Sequence, residues 1–182
     1  LLTCYHLDRF SEDIDLDSNN KNKIKKFVDT YCSKNKYIYR IAKDTDTTKR
    51  FFIHYGNVMH PLKIEVSFRS IILNSDCTKI NGIKVYSINK LMNLKLNAYN
   101  TRDTIRDLYD ITFIAKHYWD SLTPEIKSNL NESLHYKGLE HFEYILYTSN
   151  DNLIDKDKIT VDFLELINKF NLGKKDELEL ER

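Results

Sequence analysis

The sequence predicts a small α/β lobe at about residues 1–86, followed by a helical lobe at about residues 87–182. Short runs rich in Tyr, Ile, Phe and Val, which are typical of strands, fill the first half of the chain. From Ser87 onward, apolar residues recur every three to four positions, which is the spacing of a helix. Only four Gly and two Pro occur in 182 residues, so long flexible linkers are not expected.

The elements of the first lobe are predicted from side-chain periodicity and capping residues. Leu1–Leu7 is expected to end a helix, and Asp13–Leu16 alternates like a half-buried strand, with Ile14 and Leu16 facing a core. The next helix spans about Asn20 to Ser33. Its candidate N-caps are Asp17, Ser18 and Asn19. Its predicted apolar face comprises Ile24, Phe27, Val28, Tyr31 and Cys32. Four strands are predicted at Tyr37–Ala42, Arg50–Asn57, Lys63–Ser70 and, after an Asn81-Gly82 turn, Ile83–Tyr86.

Five helices are predicted in the second lobe. Ser87 caps the first, Ser87–Tyr99, whose inner side is predicted to carry Leu91, Leu94 and Ala98. Thr123 is placed as the N-cap of the third, with Pro124 in its first turn. The second, fourth and fifth helices are predicted at Arg102–Trp119, His141–Tyr147 and Thr160–Phe170.

Composition excludes two broad classes of protein. With 41% hydrophobic and 30% charged residues, the chain can bury a core and does not read as a disordered segment. Its apolar runs are far shorter than a membrane span requires, so no membrane partner is expected. Cys4, Cys32 and Cys77 are odd in number and widely spaced, which predicts unpaired thiols in a reducing cytoplasm.

Charge is balanced overall but unevenly distributed. The net charge is +1, whereas residues 21–50 carry eight Lys and two Arg against three Asp, a local charge of +7. Such a block can meet phosphates, although a lysine-rich solvated helix face explains it equally well. Aromatic residues beside this block could stack on bases, while strand alternation would place about half of them in the core. They are Tyr37, Tyr39, Phe51, Phe52 and Tyr55.

The segment Arg9–Leu16, Arg-Phe-Ser-Glu-Asp-Ile-Asp-Leu, carries paired acids. Asp13 and Asp15 are two apart on a predicted strand, so both side chains leave the same face. Adjacent carboxylates repel each other unless a cation lies between them, which suggests Mg²⁺. Glu65, between Ile64 and Val66 of a later strand, could supply a third carboxylate for a two-metal site. The alternatives are a solvated strand end and an exposed strand acid.

A second charged segment runs from Lys95 to Asp110. On one helix, Arg102, Arg106 and Asp110 would share a face, where the cations could clamp triphosphate oxygens and Asp107 or Asp110 could orient them. Spacing alone favours the alternative, a charge cluster that holds two helices together.

These segments, in this order, resemble the AbiEii/AbiGii toxin family of nucleotidyltransferases. The family motifs correspond to Arg9–Asp15, the lone acid Glu65 and Lys95–Asp110, and the resemblance spans about residues 1–115. It implies a polymerase-β-like nucleotidyltransferase fold, a mixed sheet with flanking helices, followed by a helical C-terminal lobe. It also implies transfer of NMP from an NTP with Mg²⁺, with tRNA as the expected acceptor. The family supplies the toxins of bacterial toxin–antitoxin and abortive-infection systems, so a cognate antitoxin is an expected partner.

The resemblance also assigns roles to individual residues. It implies that Asp13, Asp15 and Glu65 are the catalytic, metal-holding carboxylates. It places Arg9 and Ser11 on the phosphate side, and it implies that Asp107 and Asp110 order their helix. The cations expected at the nucleotide are Lys95, Arg102 and Arg106.

One family feature would lie upstream of Leu1. Family members carry a Gly-Gly-Ser/Thr turn before the Arg of the acidic motif, and its amides cradle phosphates. A chain without that turn is expected to show weak or absent NTP turnover. The alternative function is therefore a catalytically inactive, truncated remnant that binds RNA or protein. A DxD glycosyltransferase is less favoured, because its acidic motif would follow several βα units and here it lies at residue 13.

Overall fold

The computed structural model describes residues 2–180, with side chains described for residues 3–170. In chain order the elements are α1 (Leu2–Tyr5), β1 (Asp13–Asp17), α2 (Lys21–Asn35), β2 (Ile38–Asp44), β3 (Thr48–His54), β4 (Leu62–Ser67), β5 (Cys77–Ile80), β6 (Ile83–Tyr86), α3 (Ile88–Thr101), α4 (Ile105–Tyr118), α5 (Pro124–Thr148) and α6 (Lys156–Leu180). Short 3₁₀ turns occur at Asn74–Asp76 and Trp119–Ser121. Among the described residues, no helix is long and apolar enough to cross a membrane.

The chain forms two compact units. The sheet unit comprises Phe10–Asp76, and the helical unit combines Leu1–Arg9 with Cys77–Arg182. The predicted lobes, 1–86 and 87–182, differ from these units at both ends of the sheet region. Tyr5 packs in the core of the helical unit, and its hydroxyl donates a 2.6 Å hydrogen bond to the carbonyl of Tyr86. The sequence pattern shows that β6 is a strand, but not which core it joins.

The sheet unit contains the predicted mixed sheet. Its strand order is β1-β4-β3-β2, with β1 parallel to β4 and the other neighbouring pairs antiparallel. Helix α2 covers one face, and its small core is formed by Val28, Cys32, Phe51, Ile53 and Val66. Strand β1 lies at the edge of the sheet. For that reason Ile14 and Leu16, which were predicted to face a core, are each 42% exposed.

Helix α2 differs from the prediction in its cap and in its outer face. The N-cap is Asn20, whose side chain accepts hydrogen bonds from the backbone amides of Asn22 and Lys23, so the three predicted caps are wrong. Phe27 and Tyr31 were predicted on the buried face and are exposed. The sheet reaches only the stripe that carries Val28 and Cys32.

Strands β5 and β6 form a hairpin in the helical unit. Its turn residues Asn81 and Gly82 have φ of 50° and 79°, the left-handed pair of angles that suits a two-residue hairpin. The predicted Asn-Gly turn and the strand after it are confirmed. Strand β5 was not predicted, because Cys77–Ile80 is short and half polar.

The core of the helical unit centres on α3 and α4. Ser87 caps α3 and Thr123 caps α5, as predicted, and each side chain accepts a hydrogen bond from a backbone amide. Leu94 is exposed, and the buried residues of α3 are Ile88, Met92, Leu96 and Tyr99. Helix α5 contains the predicted segment His141–Tyr147 and breaks at Gly138, whose φ is 71°. Helix α6 extends beyond the predicted Thr160–Phe170 at both ends.

Candidate active site

Three carboxylates lie at adjacent positions on one face of the sheet unit. Asp13 and Asp15 are two apart on β1, and Glu65 of β4 is the register partner of Asp15. Directly opposed residues on neighbouring strands project to the same face, and the strands lie about 4.8 Å apart. The side chains of Asp13, Asp15 and Glu65 therefore share one face. Asp15 is exposed and the other two are partly exposed, so solvent and small ligands can reach them.

Two cations from the same sheet pair with two of the three carboxylates. The Lys63 ammonium donates to Asp13, its register partner. Arg50 of β3 is the register partner of Glu65, and its Nε and Nη2 each lie 2.6 Å from Glu65 Oε2. These counter-cations were not predicted as site residues. The signal for Lys63 was available, because in Leu-Lys-Ile-Glu-Val it is two residues from Glu65 and so shares its face.

The donor chemistry of the three carboxylates fits Mg²⁺, which prefers oxygen ligands and is held by one or two carboxylates plus substrate phosphates. Within the described residues, no three His, Cys, Asp or Glu side chains stand close enough together to form a ready-made metal site. Asp13, Asp15 and Glu65 are the residues that would hold the ion. Lys63 and Arg50 would compete with the ion for these carboxylates.

Ser11 precedes this strand in the sheet unit. Its hydroxyl lies 3.4 Å from the backbone carbonyl of Asp13, a long and therefore weak hydrogen bond. This contact places Ser11 at the beginning of β1.

A buried ion triad lies in the helical unit. Asp110 of α4 has a side chain that is 1% exposed, and it accepts hydrogen bonds from Arg9 Nε at 2.7 Å and Arg9 Nη2 at 2.8 Å. The Lys95 ammonium lies 2.6 Å from its second oxygen. Two cations against one carboxylate leave a net positive charge. Lys95 retains 26% exposure, whereas Arg9 retains 10%.

A second pair links the end of α3 to the beginning of α4. Arg102 is the C-cap residue of α3. The helix predicted at Arg102–Trp119 exists as α4, but its predicted start at Arg102 is wrong, so Arg102 does not share a helix face with Arg106 and Asp110. Arg102 Nε and Nη2 lie 2.5 and 2.8 Å from the carboxylate of buried Asp107, and the Thr104 hydroxyl also donates to it. Burial acts to raise the pKa of Asp107, but these hydrogen bonds outweigh it and hold the pKa below its ordinary value.

Arg106 contacts the connection between α5 and α6. Its Nε lies 2.5 Å from Asp151 Oδ2, and this hydrogen bond holds the pKa of the Asp151 carboxyl below its usual range. Arg106 and Asp151 also line a cleft of about 350 Å³. Asp151 was not predicted, because it is 45 residues from its partner and no local pattern links the two.

The predicted site residues thus fall into two groups. Ser11, Asp13, Asp15 and Glu65 belong to the sheet unit. The helical unit holds Arg9, Lys95, Arg102, Arg106, Asp107 and Asp110. Within the helical unit, the cations predicted at the nucleotide each contact an acidic side chain. The alternative of a charge cluster between helices therefore describes the arrangement of Arg102 and Arg106 well.

Comparison with known proteins identifies the family. Residues 1–179 match the family described as "Nucleotidyl transferase AbiEii toxin, Type IV TA system". JHP933 from Helicobacter pylori is 24% identical, with a TM-score of 0.71 over 98% of this chain and 85% of that one. A "putative nucleotidyltransferase" from H. pylori is 25% identical, with a TM-score of 0.72 over 96% of this chain and 83% of that one. Curated proteins provided no match. The suspected resemblance and the predicted fold are both confirmed: the chain belongs to the AbiEii family of nucleotidyl transferase toxins.

Proposed function

We propose that this chain transfers a nucleoside monophosphate from an NTP to tRNA in a reaction that requires Mg²⁺. The observation that carries the proposal is the placement of Asp13, Asp15 and Glu65 side by side on one accessible face of the sheet. Membership of a family of nucleotidyl transferases supports the reaction type.

The chemistry asks for charge neutralisation and positioning. An acceptor hydroxyl attacks the α-phosphorus, the bond to the bridging oxygen breaks, and pyrophosphate leaves. Mg²⁺, when bound, would offset the charge of the triphosphate. Asp13, Asp15 and Glu65 would hold the ion, and a carboxylate of this cluster would accept the proton of the attacking hydroxyl.

The cations of the helical unit have unequal access to a nucleotide. Lys95 is partly exposed and belongs to a triad with net positive charge, so we assign it the contact with the triphosphate. Arg9 is more buried and binds Asp110 through two hydrogen bonds, which suits a positioning role. Arg102 and Arg106 hold Asp107 and Asp151, and so tie the beginning of α4 to the end of α3 and to the connection between α5 and α6.

The biological setting follows from the family. Its description names a toxin of a toxin–antitoxin system, so we propose a cognate antitoxin as the protein partner. We place both in the cytoplasm of a bacterium, and the three unpaired thiols Cys4, Cys32 and Cys77 suit that reducing compartment. The basic block at residues 21–50 supports an RNA acceptor.

The test is a transfer assay with each α-labelled NTP, Mg²⁺ and total bacterial tRNA. We expect label on tRNA with the wild type, assayed as the full reading frame with any residues that lie upstream of Leu1. We expect Asp13→Asn/Asp15→Asn to reduce transfer by about 10²–10³-fold or more, the scale for losing charge stabilisation in a transition state. Asp46→Asn is the matched control, because Asp46 lies in the β2–β3 turn and pairs with exposed Lys21. It should label tRNA like the wild type.

The outcomes separate the alternatives. No label with any NTP, from a protein shown to be folded, would reject the enzyme and favour a non-catalytic module that binds RNA or protein. Label on a protein in place of tRNA would retain the transfer reaction and reject the acceptor. Label that persists after chelation of divalent ions would reject the metal requirement.

A further inference from the structure

A row of aromatic side chains lies on the outside of the sheet unit. Phe27 and Tyr31, one turn apart on α2, are 66% and 48% exposed, and Tyr55, which follows β3, is 39% exposed. Tyr37 lies between Tyr31 and Tyr55 in the row. We call these four residues the aromatic ladder. Large exposed aromatic rings that gather in one place mark an interaction surface more often than scattered single ones.

The rings of the aromatic ladder form a continuous series. The centroids of Phe27 and Tyr31 are 6.0 Å apart with 16° between the ring planes, so these rings are nearly parallel. Tyr31 and Tyr37 are 6.2 Å apart, and Tyr37 and Tyr55 are 6.3 Å apart. The ladder therefore extends from the outer face of α2 to Tyr55, which directly follows the end of β3.

Lysines flank the ladder on the same helix stripe. Lys23 is four residues before Phe27 and Lys34 is three residues after Tyr31, so both lie in line with the rings. Both are exposed, and so is Lys36 at the C-cap. No ion pair within the described residues engages these three lysines. By contrast, the nearby acid Asp29 is already held by Tyr39 and Lys25.

Aromatic rings in line with unpaired lysines match one ligand class. Single-stranded nucleic acid presents base faces that stack on aromatic rings and phosphates that attract lysines. Duplex RNA fits less well, because its bases are already stacked on one another. The charge argues against an uncharged apolar partner, since three of the four ladder residues lie in the block of residues 21–50, which has a net charge of +7.

We propose that the aromatic ladder is a binding surface for single-stranded RNA, with bases stacked on Phe27 and Tyr31 and phosphates held by Lys23 and Lys34. The inference deepens the proposed function by giving the acceptor RNA a place on the chain. It rests on that function only for the choice of RNA as the acceptor.

The test measures fluorescence anisotropy of a labelled oligouridine of about 10 nucleotides, within the size range of single-stranded sites, without NTP. We expect Phe27→Ala and Tyr31→Ala each to weaken binding about tenfold, the scale of one lost stacking contact. Tyr147→Ala is the matched control, because Tyr147 is highly exposed on α5 outside the ladder. It should bind like the wild type.

Salt dependence tests the lysines separately. Each of Lys23→Gln and Lys34→Gln should reduce the slope of log K against log salt by about 0.7, the value for one phosphate contact with a single strand. Lys79→Gln, a change at an exposed lysine of β5, should leave the slope unchanged.

Phe27→Leu keeps an apolar side chain of similar bulk but removes the aromatic ring, and it should still weaken binding. This variant separates the loss of ring stacking from a loss of binding caused by misfolding.

Several results would overturn the proposal. These are no binding of the oligouridine by the wild type, ladder variants that bind as tightly as the wild type, and equal affinity for a duplex of the same length. Ladder variants that lose a protein partner while RNA binding is unchanged would also overturn it. Asp13→Asn/Asp15→Asn should retain oligouridine binding, so a failed transfer reaction and a failed RNA surface are distinguishable.

Discussion

The salt bridge between Arg9 and Asp110 offers a sharp test, because the family resemblance and the structure give Arg9 different roles. The resemblance implies a contact with phosphate. In the structure, both oxygens of the almost fully buried Asp110 side chain accept hydrogen bonds from Arg9, at 2.7 and 2.8 Å. The perturbation we choose is Arg9→Met, which keeps an unbranched apolar stem and removes the charge and the donors of the side chain.

The expected loss of stability follows from burial. Removing one partner of a buried ion pair costs about 3–5 kcal/mol, because the other charge loses its compensation. Lys95 remains 2.6 Å from Asp110, so we expect the lower end, about 3 kcal/mol. For a chain of this size, that corresponds to a fall in Tm of roughly 6–12 °C. Lys95→Met removes a more exposed cation with one contact and should cost about 1.5 kcal/mol.

The assay is urea unfolding, monitored by the fluorescence of Trp119. This is the single Trp of the chain and lies in the helical unit, as Arg9 and Asp110 do, so it reports the affected unit. Lys79→Met, at an exposed lysine of the same unit, is the control and should stay within about 0.5 kcal/mol of the wild type. If Arg9→Met loses less than about 1 kcal/mol while its affinity for NTP falls, Arg9 serves the nucleotide rather than the fold and the reasoning is refuted.

Three further predictions follow from single side chains. Because the pKa of Asp107 is lowered, this carboxylate stabilises the fold at pH values above its ordinary pKa of 3.8, and the stabilisation is lost as the pH falls below that value. Asp107→Asn should therefore flatten the acid limb of a curve of Tm against pH. An unchanged acid limb would contradict this. If Asp13 helps to hold Mg²⁺, Lys63→Met should show a larger rise in Tm on addition of Mg²⁺ than the wild type, because Lys63 no longer competes for Asp13. An equal rise in both proteins would show that the ion binds elsewhere. The buried hydroxyl of Tyr99 makes no hydrogen bond with the described residues, and burial raises its pKa to about 12. Tyr99→Phe should therefore be neutral or stabilising by about 1 kcal/mol in urea unfolding, whereas a loss of more than about 1 kcal/mol would reveal an unseen partner.

Local features of the fold were predictable because they depend on near neighbours in the chain. Ser87 and Thr123 cap helices through amides three residues away, and the Asn81-Gly82 turn needs only two left-handed residues. Helix faces were less predictable. Periodicity identified an apolar stripe on α2, but a four-stranded sheet buries Val28 and leaves Phe27 exposed.

The candidate site shows the same division. Alternation on a strand placed Asp13 and Asp15 on one face, and the acid between two apolar residues pointed to Glu65. The register that makes Glu65 the partner of Asp15 comes from the pairing of β1 with β4, which are some fifty residues apart in sequence. The ion pair of Arg106 with Asp151 is equally remote, and no spacing rule could have indicated it.

The sequence by itself determined the family, the mixed α/β and helical composition, and the identity of the acidic strand residues, because motifs and periodicity are properties of neighbouring positions. Tertiary structure alone decided which cation meets which carboxylate. It placed Lys63 on Asp13, Arg50 on Glu65 and Arg9 on Asp110. It also decided that Phe27 and Tyr31 stay outside the core. Charge pairing and burial depend on distances between segments far apart in the chain, and only the folded backbone sets those distances.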